Sequence, residues 1–64
     1  MSAALDGTGL TLAGAWVTAR RTNASQSVKN DIRRRFAEVE ELSLVDAQAI
    51  LEDHYAIAEA KRGD

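Results

Sequence analysis

Sixty-four residues suffice for one small domain, and a chain this short buries little of its surface unless something staples it. Cysteine is absent and His54 is the single histidine, which excludes a disulfide and a structural zinc set, and no cofactor or metal is expected. Eight Lys and Arg against ten Asp and Glu give a formal net charge of −2, which weighs against a domain built for phosphate backbones and leaves association with protein as the remaining staple.

Residues 1–9, MSAALDGTG, carry two glycines and little hydrophobic pattern, and read as a flexible or extended arm ahead of a single small helical domain over 10–64. The segment Leu10 to Arg21 reads two ways. Leu10, Leu12, Gly14, Trp16 and Thr18 alternate as in a strand, whereas Leu12, Trp16 and Ala19 lie at helical spacing among several alanines. A short helix is the better reading, because nothing else in the chain offers a strand to pair with. This same segment is the longest apolar stretch. Thr11, Gly14 and Thr18 interrupt it and no basic region precedes it, so neither a membrane span nor a signal peptide is expected. The expected location is the cytoplasm or the interior of a virion or other macromolecular assembly.

Thr22 to Ser27 is a run of side chains that compete for backbone hydrogen bonds and suits a turn leading into a helix N-cap. From there Val28, Ile32, Phe36, Val39 and Leu42 recur at intervals of four, four, three and three, one apolar stripe on a helix over about 25–42. Ser43 caps the next helix, with Asp46 three residues on, and the helix runs over about 44–61 to the stop at Gly63. Leu44, Ala47, Leu51, Tyr55 and Ala58 make its main stripe, extended by Ile50 and Ile57. A second stripe of Val45, Ala49, Ala56 and Ala60 lies on a different side. The fold expected is all-α: an antiparallel helical hairpin with a short N-terminal helix or extended arm, completed by association.

The residues expected at a partner interface, with a second copy or another protein, are Leu12, Trp16, Val45, Ala49, Ile50, Ile57, Ala56 and Ala60. Trp16 suits either an interface anchor or the cap of the hairpin's own core. The alternative function, nucleic-acid binding, rests on Arg20, Arg21, Lys29 and Arg33 gathering if the first helix folds back. The Arg33-Arg34-Arg35 run cannot form one basic face, since successive helical residues point about 100° apart; ion pairs of Asp31 with Arg35 and of Arg34 with Glu38 are expected instead. His54 has no nucleophile at i,i+3 or i,i+4 and reads as a boundary residue bonded to a neighbouring element. No catalytic residue and no small-molecule substrate is expected, because a convergent polar pocket is more than this chain can enclose alone. The chain therefore reads as a non-enzymatic interaction or assembly module. The stretch Asp46 to Ala60, DAQAILEDHYAIAEA, is faintly similar to the leading helix of small head–tail joining proteins of tailed phages, a resemblance that implies a structural subunit but is too short to assign a family.

Overall fold

The structure, a computed structural model, describes residues 8–63. Among the described residues the chain is all-helical, with α1 over Thr8–Arg21, α2 over Gln26–Glu40 and α3 over Leu44–Arg62. Each helix packs against the other two.

The ambiguous segment is a helix of fourteen residues, and it begins at Thr8, two residues inside the expected arm; the rest of that arm, 1–7, lies outside the described residues. Burial decides between the two periods. Gly9, Ala13, Trp16 and Ala19 are buried, at helical spacing, while Leu10, Gly14 and Thr18 of the strand-like alternation are exposed. Trp16 is only 2% exposed and fills the centre of the core, with Ile32, Phe36 and Ala37 from α2 and Ala47 and Leu51 from α3. It is therefore covered by the chain's own helices and does not project as an interface anchor. Leu12, expected at the same interface, is half-buried against this core.

The expected stripe of α2 holds at Ile32 and Phe36, with Val39 and Leu42 half-buried, but Val28, in the first turn, is 47% exposed. In α3, Ala47 and Leu51 are fully buried, and Tyr55 and Ala58 continue their side half-buried.

Both helix starts are capped as the sequence suggests. The Ser25 hydroxyl accepts from the Val28 backbone N–H at 3.3 Å and the Ser43 hydroxyl from that of Asp46 at 3.1 Å. The helix ends are less obvious. At the end of α1, the Ala24 N–H donates to the Ala19 carbonyl at 2.9 Å and that of Asn23 to Arg20 at 3.3 Å. At the end of α2, Leu42 donates to Ala37 at 2.9 Å and Glu41 to Glu38 at 3.3 Å. Both are Schellman motifs, with Asn23 and Glu41 in the left-handed region at φ 55° and 58°. The motif stops α2 at Glu40, earlier than the apolar spacing suggests, and folds Leu42 back onto the core. Gly63 ends α3 at φ −71°, so its conformational freedom is not used.

Candidate interaction face and cationic cleft

α3 buries Leu51 completely, which fixes its orientation in the bundle. At 100° per residue, Val45, Ala49, Ala56 and Ala60 occupy an arc of about 60°, centred roughly 150° from Leu51. All four are exposed, Val45 by 78%. Asp46 and Asp53 follow next around the helix, both exposed and neither in an ion pair among the described residues. Ile50 and Ile57 close this outer side at 39% and 51% exposure. The six α3 residues expected at an interface thus lie together on the solvent side, left open after α1 and α2 have docked.

Between α1, α2 and α3 lies an open cleft of about 490 Å³ lined by Trp16, Arg20, Asn23, Gln26, Lys29, Arg33, Gln48 and Glu52. Three of the four cations expected to gather therefore do so, because α1 folds back beside α2. Arg21 does not join them. Its Nε donates to a Glu59 carboxylate oxygen at 2.6 Å. This hydrogen bond is the main reason that the Glu59 carboxyl sits below its ordinary value, and Arg62, 3.5 Å from its other oxygen, adds to the attraction.

Glu52 is the hub of the cleft. It accepts from the Trp16 indole N–H at 3.1 Å and from the Gln48 amide at 3.3 Å, and it is paired with the Arg20 guanidinium. The pairing holds Arg20 protonated more firmly than an ordinary guanidinium, chiefly through the hydrogen bond. Arg20 also lies 4.3 Å from the centre of the Tyr55 ring, a cation–π contact. Arg33 finds only neutral acceptors: its Nη1 donates to Gln48 Oε1 at 2.9 Å and its Nη2 to Asn30 Oδ1 at 2.6 Å. Its Nε is shielded from solvent and has no acceptor among the described residues.

The other arginines of the run behave as surface charge, with one change of partner. Arg35 pairs with Asp31 at 3.0 Å as expected, but Arg34 pairs with the same Asp31 at 2.7 Å in place of Glu38. One carboxylate between two guanidinium groups serves both. His54 is half-buried and makes no side-chain hydrogen bond among the described residues, so the expected bond to a neighbouring element is not made. No three His, Asp or Glu side chains come together at metal-binding distance among the described residues, and no helix among them is long and apolar enough to cross a membrane.

Sequence reasoning did not anticipate Gln48 and Glu52 as cleft residues, although both are polar and lie on one side of α3. The signal available was their i,i+4 spacing, which sets an amide and a carboxylate one turn apart on the side that α1 covers. A search of protein-family models, curated proteins and solved structures finds no match for the chain.

Proposed function

We propose that this chain is a non-enzymatic protein-interaction module, a small helical subunit or adaptor of a larger complex, whose partner docks on the outer side of α3. The observation that carries the reading is the Val45, Ala49, Ala56 and Ala60 strip, which stays exposed although three helices already share a core. Exposed apolar residues scattered singly need no explanation, but two i,i+4 pairs on one narrow arc of one helix line up as a seam, with Glu52 and Asp53 in the turn between them. In this reading α2 and α3 act as an antiparallel hairpin braced by α1, and the hairpin presents the seam.

Small side chains let another helix approach closely, and the unpaired Asp46 and Asp53 along one edge call for basic residues on the visitor. An antiparallel symmetric pair of copies would centre between residues 52 and 53 and set Asp53 beside its own image, a like-charge contact, and a parallel pair would bring no cation of α3 to Asp46 or Asp53. The occupant is therefore a helix of another protein, with a small apolar stripe edged by Lys or Arg. The nucleic-acid reading draws less support, because Arg20 and Arg21 are committed to Glu52 and Glu59.

A synthetic helical peptide with an Ala and Leu stripe flanked by Lys supplies the test by fluorescence anisotropy. Binding to the native chain, with loss on Ala49→Glu and with no binding of the same peptide flanked by Glu, supports the reading. Equal binding of both peptides, or of neither, overturns it.

A further inference from the structure

We propose that the cleft between α1, α2 and α3 is a binding site for a single phosphate group, as inorganic phosphate or a phosphomonoester, held by Lys29 and Arg33 with Arg20 at its edge. This rests on the cleft alone and is independent of the α3 seam.

The distribution of positive charge leads to it. Of the eight cations, Arg20, Arg21, Arg34, Arg35 and Arg62 each have a carboxylate partner. Lys61 lies in the last turn of α3, where the helix end itself favours positive charge. Lys29 and Arg33 have no carboxylate partner among the described residues, and both line the same cleft, one helical turn apart on α2. Two of the three cations without a carboxylate partner among the described residues thus face one cleft, and the third lies apart at the end of α3.

The state of Arg33 adds a second observation. Its two terminal nitrogens are anchored by neutral amide oxygens, which fix the guanidinium without cancelling its charge. Its Nε is out of solvent with no acceptor among the described residues, which leave part of the group's hydration uncompensated. An oxyanion nearby is the group that offsets such a loss. Glu52 does not repel it, because its charge is met by Arg20 and shared with the Trp16 and Gln48 donors.

Charge selects phosphate. Arg20, Lys29 and Arg33 against Glu52 alone leave a net +2 in the cleft. A phosphomonoester carries about −1.5 to −2 near neutral pH, whereas a carboxylate would match only half of the excess. A nucleic acid would need a track of free cations beyond the cleft, and Arg21, Arg34 and Arg35, the nearest candidates for one, are each tied to a carboxylate.

The test follows the arginine Nε–H resonances of the full chain by NMR during titration with inorganic phosphate at constant ionic strength, with chloride as the reference salt. The expected result is a saturable shift at Arg33, weakened roughly tenfold or more by Lys29→Ala or Arg33→Gln and unchanged by Arg34→Ala. A phosphoserine peptide binding more tightly than phosphate assigns the source as a modified protein, and equal affinity assigns it as the free ion; both support the site. If either cleft variant fails to fold, the native titration decides by itself. Shifts that do not saturate, that chloride reproduces, or that appear equally in Lys29→Ala overturn the proposal. So does binding of a single-stranded oligonucleotide by a chain that ignores inorganic phosphate.

Discussion

Asn23 and Glu41 hold the same left-handed backbone at equivalent places, yet they are not equivalent choices. Asparagine tolerates this conformation, whereas glutamate has no such compensation and bears the steric cost of its Cβ. Glu41→Gly is therefore expected to raise stability by about 0.5 to 1 kcal/mol, read as a higher urea midpoint with unchanged slope. Glu59 makes a prediction about pH. Its carboxyl is held below the ordinary 4.5 by Arg21, so the stabilisation is full above that value and is lost as pH falls through the depressed one. Glu59→Gln should flatten this acid limb of a plot of unfolding midpoint against pH by lowering the neutral plateau towards the unchanged acid values, a small drop because the pair is about one-third exposed. These residues also mark where the sequence was hard to read. The N-cap at Ser43 was legible from side-chain chemistry and that at Ser25 to within the run Thr22 to Ser27, but the two helix ends were not, because a Schellman motif is normally flagged by glycine and here carries Asn and Glu.

At the scale of the elements, α1 shows how two periodicities compete. Alternation and helical spacing share Leu12 and Trp16, so the pattern alone leaves both open, and the contacts of Ala13 and Ala19 with the core settle it. Gly14 sits exposed inside this helix, and a Cβ built there meets nothing within 4 Å. Gly14→Ala is accordingly expected to stabilise the chain by about 0.5 to 1 kcal/mol through helix propensity and the unfolded state, visible as a raised thermal midpoint. The dual apolar character of α3 was plain from its wheel, since the apolar positions of one helix can be read without its neighbours. Which of them would be covered was not, because that depends on where α1 docks. The cationic cleft was half legible for the same reason: Lys29 and Arg33 share a face of α2 by spacing, while Arg20, Gln48 and Glu52 join them only through packing.

The whole molecule rests on few side chains. Among the described residues Trp16, Ile32, Phe36 and Leu51 are the large buried ones, and alanines fill the space between them. Leu51→Ala removes the only large side chain with no exposure among the described residues, and a loss of about 2 to 5 kcal/mol would consume much of the stability of so small a domain, read as loss of cooperative unfolding by circular dichroism. The outer side of α3 should behave in the opposite way, because the bundle does not use it. Thermal unfolding of a Val45→Gln, Ala56→Gln double variant beside the native chain, each with and without the Lys-flanked peptide, tests this most directly. The account predicts equal midpoints for the two chains alone and a rise for the native chain only, equivalent to about 2.7 kcal/mol at a peptide concentration one hundred times Kd. A variant that melts lower by itself, or a peptide that raises both midpoints alike, would contradict it.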